Sequence, residues 1–413
     1  MATRIVDLEL LGPLPPIAPL KPGEGFLGIV RVGPAPVGRL AVPAAEVARV
    51  LPELAQHVPR AVSPARFFEA CRRLGEVERR PGELSLPAVA DIFRREAAMG
   101  RGRDGGELVS VIVCTRRRRE HLIRCLNSLL AMTGVRTELI LVDNNEPGES
   151  VFDLAGRFPC RYVKSVRPGL ARSRNLGLAE ARGEIVAFTH DDAEVDPGWG
   201  AGLVAALAEP GAVAATGPVL PRELATRGQE WFEDLGWTHP CWYRRRVLEP
   251  GGADPGFRPG AGANLAFRRA ALVEQGGFDE LLGPGTPTAG GDDTDALWRV
   301  LRRGGRVVYT PEAVVRHRHR IDMVGARAAA FQRMTARTAA LARLVHREPG
   351  HLGRAASELA RCVAGFGAPP DLEDLGLPRS RLSLPVRALA SLYGPLSYLQ
   401  SLWHAASRED SGS

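Results

Sequence analysis

The sequence predicts an α/β fold in which helices flank a mainly parallel sheet. Three observations support this prediction. Continuous β-branched runs such as 108–114 are typical of strands that are buried on both faces. Leucines recur at helical spacing in the segments between these runs. The resulting order of strand, helix, strand and helix favours parallel pairing, because a helical crossover returns the chain in the same direction.

The pattern divides the chain into three parts. Residues 1–106 are predicted to form a small α+β domain with a hairpin, whose strands 25–32 and 37–42 flank the turn Gly33-Pro34-Ala35-Pro36, and with helices near 44–57 and 65–79. The last residues of this part, 100–106, are rich in glycine and arginine and are predicted to be a flexible linker. Residues 107–320 hold the predicted parallel sheet, with strands at 108–114, 138–142, 185–189, 307–310 and 313–316 and helices at 168–182 and 294–303. Residues 321–413 are predicted to be helical.

Composition excludes several classes of protein. The chain has 413 residues, of which 45% are hydrophobic and 24% charged, as is typical of a globular protein with two or three domains. No signal peptide is recognisable, and no apolar stretch reaches the roughly 18 residues that cross a bilayer. Six scattered cysteines without a CxxC pair favour reduced thiols in the cytoplasm.

Arginine clusters carry much of the net charge of +7. We interpret them as solvated surface, and without a recognisable module they do not indicate nucleic-acid binding. The apolar segment 382–403 is interpreted as an amphipathic or docking segment, with peripheral contact with a membrane surface as one alternative.

Acidic residues follow two of the predicted strands directly. Asp143 ends one strand, and Asp191 and Asp192 come after another. A single aspartate at such a place is usually a turn or a helix cap, but the carboxyl ends of parallel strands meet at one edge of a sheet, where ligands bind. Asp143 can accept hydrogen bonds from a nucleobase or a ribose, and Asp192, with Asp191 beside it, can hold a divalent cation that bridges phosphates.

Charged residues elsewhere complete this predicted site. Arg172 and Arg174, which follow Gly169 on a predicted helix, can add positive charge near a diphosphate. Three acids (Asp292, Asp293 and Asp295) follow a glycine-rich loop, and they exceed what capping a helix requires. One of them is therefore a candidate general base for an acceptor hydroxyl.

Two further clusters leave alternatives open. His317 and His319 follow a predicted strand and are either ligands of a transition metal or part of a solvated basic edge. Five aromatic residues suit either an acceptor surface or the anchoring of their own loop; they are Trp231, Phe232, Trp237, Trp242 and Tyr243.

Eight motifs, in this order, resemble those of glycosyltransferase family 2, whose members have the GT-A fold and use nucleoside-diphosphate sugars. The resemblance covers about half of the chain, from Val109 to Arg320. The first four motifs are Val-Ile-Val-Cys-Thr-Arg (111–116), Leu-Val-Asp-Asn (141–144), Gly-Leu-Ala-Arg-Ser-Arg-Asn-Leu-Gly (169–177) and Val-Ala-Phe-Thr-His-Asp-Asp (186–192). The other four are Gly-Ala-Asn-Leu-Ala-Phe-Arg-Arg (262–269), Gly-Gly-Phe-Asp (276–279), Gly-Gly-Asp-Asp-Thr-Asp (290–295) and His-Arg-His-Arg (317–320).

The resemblance implies a role for each matching residue. Donor-binding residues would be Thr115, Arg116, Asp143, Arg172, Arg174, Asn175 and Asp191. The cation, Mn²⁺ or Mg²⁺, would be held by Asp192 together with His190, His317 or His319. Asp293 would be the catalytic base, with Asp292 as the second candidate. The chain departs from the family pattern at two of these positions, since His190 stands where relatives often have aspartate and Asp292 replaces a usual glutamate.

These roles imply an inverting enzyme that moves a sugar, with a UDP-sugar favoured, to a hydroxyl group. The acceptor would be a glycan, a lipid-linked sugar or a small molecule, in bacterial envelope or metabolite glycosylation. The altered position His190 supports an alternative, a catalytically weak nucleotide-sugar-binding scaffold. A nucleotidyltransferase is disfavoured, because no glycine-rich phosphate loop follows the first strand of the predicted sheet.

Overall fold

The N-terminal part of the chain forms a three-stranded sheet covered by four helices. The computed structural model describes residues 2–77, 79–99, 106–146, 148–235, 243–251, 260–364 and 382–410. The N-terminal elements are β1 (Thr3–Glu9), β2 (Gly25–Val32), β3 (Ala35–Val42), α1 (Val47–Val50), α2 (Leu54–Ala61), α3 (Pro64–Leu74) and α4 (Leu86–Met99). Strands β2 and β3 pair antiparallel, which confirms the predicted hairpin, and β1 pairs parallel to β2. The predicted linker lies, except for Gly106, outside the described residues.

The central part contains eleven strands and seven helices within the described residues. They are β4 (Leu108–Thr115), α5 (Arg119–Leu130), β5 (Arg136–Asp143), α6 (Phe152–Ala155), β6 (Cys160–Lys164), α7 (Leu170–Glu180), β7 (Ile185–His190), β8 (Ala193–Val195), α8 (Trp199–Leu207), β9 (Ala212–Thr216), β10 (Val219–Pro221), α9 (Arg227–Asp234), β11 (Arg246–Leu248), β12 (Leu265–Arg268), α10 (Arg269–Glu274), α11 (Asp292–Arg302), β13 (Arg306–Tyr309) and β14 (Val315–His317). The five strands and two helices predicted for this part are all present.

Eight of these strands form one sheet in the order β11-β13-β9-β12-β7-β4-β5-β6. Strands β7, β4, β5 and β6 pair parallel, as do β13 and β9. The exceptions are β12, which is antiparallel to both of its neighbours, and the edge strand β11. Apolar clusters pack on both faces of the sheet. The prediction of a mainly parallel sheet flanked by helices, the GT-A arrangement, is confirmed.

The sheet register brings the predicted motifs to one edge. Thr115, the last residue of β4, pairs with Asp143 of β5, and Cys114 pairs with His190 of β7. Helix α7 packs closely beneath this edge, because a Cβ atom at Gly177 would lie only 2.5 Å from Cγ2 of Ile112. The close approach fixes the position of the polar side chains that α7 carries toward the strand ends.

The C-terminal part consists of the helices α12 (Met323–Arg347), α13 (Leu352–Ala364) and α14 (Leu384–Asp410), as predicted. Helix α12 packs against α14, and α11 contacts α12 as well. In the part of the chain that the structure describes, no helix is both long and apolar enough to cross a membrane.

The N-terminal sheet packs directly on the central part. Leu27 and Ile29 of β2 are buried in one cluster with Leu220, Leu224 and Val314. The predicted hairpin is therefore part of a shared core and is held in a fixed position relative to the large sheet.

Candidate active site

A cavity of about 510 Å³ opens at the carboxyl ends of β4 and β7. Strand-end residues form its floor, and residues 260–263, the start of α11 and one side of α12 form its walls. The cavity lies where a parallel sheet is expected to bind ligands. It is large enough for a small-molecule substrate.

The two aspartates that follow β7 make different contacts in this cavity. Asp191 is buried, and it accepts a hydrogen bond of 2.8 Å from Oγ1 of Thr115 and another from the backbone N–H of Arg116. Burial and the neighbouring Asp192 raise the pKa of Asp191 to about 6. Asp191 thus joins β4 to β7, and Arg118 forms ion pairs with both aspartates.

Asp192 forms a cluster with two histidines. Its Oδ1 atom lies 3.2 Å from Nε2 of His317 and 3.9 Å from Nδ1 of His190. This oxygen is buried but accepts no hydrogen bond from the described residues. Burial would raise the pKa of Asp192, but His317 and Arg118 outweigh it and hold the pKa below its usual value. The carboxylate is therefore ionised.

The cluster has the chemistry of a divalent-cation site. The ligand atoms of His190, Asp192 and His317 all lie within 4.8 Å of one another. Burial lowers the pKa of His190 to about 3, against the opposing effect of Asp192, so its imidazole is neutral at pH 7, which is the form in which histidine binds metal ions. A buried, unsatisfied carboxylate oxygen beside imidazole nitrogens fits a transition metal such as Mn²⁺.

The two aspartates that begin α11 have separate roles. Asp292 is buried and forms an ion pair with Nη1 of Arg174. Asp293 is only partly buried, and its Oδ1 atom accepts a hydrogen bond of 2.7 Å from the N–H of Thr294. The other oxygen, Oδ2, has no hydrogen bond or ion pair with the described residues. Of the two candidates, Asp293 therefore has the carboxylate that is available to a substrate.

Gly262 shows how closely these groups converge. A Cβ atom at this position would lie 2.7 Å from Nη2 of Arg174, 3.0 Å from Oδ2 of Asp293 and 3.3 Å from Nε2 of His190. Any larger residue would occupy the space between the free carboxylate and the histidine cluster. The glycine thus keeps open the space between Asp293, Arg174 and His190.

Asp143 differs from the prediction. Its side chain is fully buried and does not line the cavity, whereas Asn144 does. Its carboxylate instead accepts hydrogen bonds from Asn145, Ser150 and Tyr162. Burial would raise the pKa of Asp143, but these donors lower it to about 2. The carboxylate is used to fix the loop after β5, and direct contact with a nucleobase is not supported by this geometry.

Three other predicted donor-binding residues also have internal partners. Arg172 forms an ion pair of 2.6 Å with Glu280. Nη2 of Arg174 donates to the carbonyl of Gly262, while Nη1 of the same guanidinium holds Asp292. The side chain of Asn175 donates to and accepts from the backbone of Phe278. These contacts position the cavity walls, and donor binding by the three residues stays a prediction.

The sequence of the chain resembles those of known proteins. Residues 110–273 match the family model for glycosyl transferase family 2. Over 221 residues the chain is 30% identical to the glucosyl-dolichyl phosphate glucuronosyltransferase of Haloferax volcanii, and the match covers 51% of this chain and 69% of that protein. The chain belongs to glycosyltransferase family 2.

Two further known proteins resemble this glycosyltransferase. It is 30% identical to the succinoglycan biosynthesis protein ExoM of Rhizobium meliloti, over 50% of this chain and 65% of that protein. A mannosyltransferase from Pyrobaculum calidifontis, solved in complex with GDP-Man and Mn²⁺, has a TM-score of 0.47 and 19% identity over 83% of this chain and 99% of that one.

Residues outside the matched segment complete the cavity of this glycosyltransferase. Of the two predicted histidines, His317 faces Asp192, whereas His319 turns away and places its Nε2 atom 3.0 Å from Glu233. Arg39 of β3 donates to the other oxygen of Glu233 at 3.0 Å. A buried chain of contacts thus runs from the N-terminal sheet to the cavity wall.

Sequence reasoning missed two arginines and placed only some of the aromatic residues. Arg118, which contacts both strand-end aspartates, belongs to a cluster that we interpreted as solvated. Arg333 of α12 lines the cavity and lies over the ring of Phe232, with its guanidinium carbon 4.5 Å from the ring centroid. The position of Arg118, three residues after β4, was a usable signal. The sequence gives no such signal for Arg333.

Of the five aromatic residues named as a possible acceptor surface, Trp237 and Trp242 lie outside the described residues.

Arg39→Met tests the contact between the N-terminal sheet and the cavity. The change leaves Glu233 buried with one partner fewer, and we expect it to lower the free energy of unfolding by roughly 3–5 kcal/mol. Arg49→Met, which removes an exposed ion pair with Glu46, serves as the control and should leave stability nearly unchanged. Both are measured by urea denaturation of the full chain. Equal effects of the two changes on the free energy of unfolding would show that the buried pair contributes no more to stability than an exposed pair does.

Proposed function

We propose that this family 2 enzyme is metal-dependent and inverts the configuration of the sugar that it transfers. The donor would be a nucleoside-diphosphate sugar, with a UDP-sugar favoured, and the acceptor a hydroxyl group. One observation carries the proposal. The free carboxylate oxygen of Asp293 and the cluster of His190, Asp192 and His317 line the same cavity. Asp293 and His190 both approach Gly262. A base is thus available on one side of the space and a cation site on the other.

The reaction follows from these positions. Asp293 accepts the proton of the acceptor hydroxyl, whose oxygen forms a bond to the anomeric carbon. The bond from that carbon to the diphosphate breaks, and its electron pair leaves with the nucleoside diphosphate. His190, Asp192 and His317 would hold a divalent cation, which supplies positive charge to the departing diphosphate. A single displacement inverts the configuration at the anomeric carbon, so one base is sufficient.

The relatives suggest where such an enzyme would act. One is named as a glucuronosyltransferase for glucosyl-dolichyl phosphate, and another is named for the biosynthesis of succinoglycan. These names support a lipid-linked or glycan acceptor, as in bacterial envelope glycosylation. A small-molecule acceptor stays the alternative.

Asp293→Asn tests the base. We expect kcat for transfer, and for hydrolysis of the donor, to fall roughly 10²–10⁴-fold, because the amide cannot accept the proton. Stability should change little, since Oδ2 of Asp293 has no partner among the described residues. Asp292→Asn is the matched control, because it breaks the buried ion pair with Arg174 and should cost roughly 3–5 kcal/mol of unfolding free energy.

Two results would contradict the assignment. Full activity of Asp293→Asn would exclude this residue as the base. Binding of nucleotide sugars by the unaltered protein without any turnover, across a panel of donors with Mn²⁺ present, would favour the alternative of a non-catalytic scaffold.

Asp192→Asn tests the cation site. Removal of the single carboxylate from the cluster should weaken Mn²⁺ binding at least tenfold, because neutral ligands attract the cation less strongly. Binding is measured by titration of Mn²⁺ alone, without nucleotide. Asp153→Asn, which removes an exposed carboxylate paired with Arg119, should leave Mn²⁺ affinity unchanged. Equal affinity in the two variants would place the cation elsewhere.

An apolar ridge on α14 supports peripheral contact with a lipid surface. Six side chains on one face of this helix are between 44% and 67% exposed; they are Leu389, Leu392, Tyr393, Leu396, Leu399 and Trp403. Between 384 and 403 there is no acidic residue, and the one charged residue, Arg387, donates to backbone carbonyls. Leucines with tyrosine and tryptophan are typical of helices that lie in the plane of a membrane.

The double change Leu392→Glu with Leu396→Glu tests this ridge. Unaltered protein should sediment with vesicles of phosphatidylglycerol and phosphatidylcholine, and the double variant should bind at least fivefold less, since charged groups resist burial among lipid tails. Val273→Glu replaces a similarly exposed apolar residue on α10 and should bind like unaltered protein. A dimer that the double change dissociates, with no vesicle binding by the unaltered protein, would show instead that the ridge is a contact between copies.

A further inference from the structure

Arg333 is exceptional among the arginines in the interior of this protein. Each of the five fully buried arginines of the described chain has a carboxylate partner; they are Arg31, Arg66, Arg174, Arg299 and Arg337. Arg333 is partly buried and lines the cavity, but it makes no ion pair or hydrogen bond with the described residues.

The surroundings of Arg333 orient its guanidinium toward a ligand. The group lies over the ring of Phe232 with its carbon 4.5 Å from the centroid, which is a favourable cation–π contact. The ring is buried and also packs against His319, at 5.0 Å between ring centroids, so it is a rigid support. A guanidinium that is supported on one face keeps the N–H groups at its edge available for two parallel hydrogen bonds to an oxyanion.

Electrostatics supports the same interpretation. Burial lowers the pKa of Arg333 to about 10, while the charges of Asp293 and Asp192 act in the opposite direction. These carboxylates offset only part of the cost in free energy of the buried charge, because none of them forms an ion pair with Arg333. An arginine that lines a substrate cavity without an ion pair among the described residues is suited to a ligand that brings an oxyanion to it.

We propose that Arg333, supported by Phe232, forms an anion-binding site for a substrate phosphate, separate from the cation site at Asp192. This site rests on the proposed function, because it assigns a phosphate to the same cavity. Two sources have this chemistry, the diphosphate of the donor and a phosphate of the acceptor. Residue 333 lies beyond the matched segment 110–273, so the site is a feature of the C-terminal helices of this chain.

Titration of inorganic pyrophosphate into the full chain, with EDTA present, tests the site without turnover or metal. Unaltered protein should bind pyrophosphate, and Arg333→Gln should bind it at least tenfold more weakly. Arg333→Lys keeps the charge but loses the flat group over the ring, and it should show an intermediate loss. Arg327→Gln, at an exposed position of α12, should differ from unaltered protein by less than twofold.

A melting curve separates binding from folding. The melting temperature of Arg333→Gln should be unchanged or higher, because a cation without a carboxylate partner has been removed. If that variant does not fold, Arg333→Lys carries the comparison. Equal pyrophosphate binding by Arg333→Gln and unaltered protein, or no binding by the unaltered protein, would overturn the proposal.

Competition identifies the source of the phosphate. If saturating UDP abolishes the binding of pyrophosphate to unaltered protein, Arg333 holds the diphosphate of the donor. If pyrophosphate still binds and still requires Arg333, the site belongs to a phosphate of the acceptor. The two proposals are tested by separate measurements. The pyrophosphate titrations test Arg333 and do not depend on turnover, whereas the activity of Asp293→Asn tests the proposed base and does not depend on the anion site.

Discussion

The buried ion pair between Arg174 and Asp292 is the interaction on which the site depends. It joins α7, which packs beneath the strand ends, to the first turn of α11. The second nitrogen of the same guanidinium holds the carbonyl of Gly262. Because Asp292 is occupied in this way, the next residue of the helix, Asp293, is left to face the cavity. One arginine therefore fixes three segments and determines which of two adjacent acids can meet a substrate.

The arrangement of the sheet and the two central acids could be predicted from the sequence because both follow from local patterns. Continuous β-branched runs identified the strands, and parallel pairing required their carboxyl ends to meet at one edge. Asp192 and Asp293 do lie in one cavity. Short strands were missed, among them β12 (Leu265–Arg268), since four residues carry too little periodicity to be distinguished from a loop. For the same reason, the sequence did not indicate that β12 lies between β9 and β7 and runs antiparallel to both.

The partners of charged residues could not be predicted, because they depend on contacts between distant parts of the chain. Arg174 and Asp292 are 118 positions apart, and Arg39 and Glu233 are 194 positions apart. A motif marks a charged residue as important without showing whether it serves a ligand or another side chain. Asp143 illustrates the second case, since donors from the loop that follows it and from Tyr162 of β6 surround its carboxylate. An internal partner consumes the same hydrogen-bonding capacity that a substrate would need, so a residue rarely serves both.

The distribution of charge around Asp192 shows why this part of the cavity, in contrast to the part near Arg333, suits a diphosphate only together with a cation. Asp191 and Asp192 place acidic groups where we propose that the diphosphate of a donor binds, and Arg118 offsets part of that charge. Oδ1 of Asp192 is left without a hydrogen bond and faces two imidazoles. A diphosphate brought alone to this position would be repelled by the carboxylates, whereas a divalent cation reverses the sign of the local charge. The acids that make this part of the cavity unsuited to phosphate are thus the same groups that make it selective for phosphate bound to a metal.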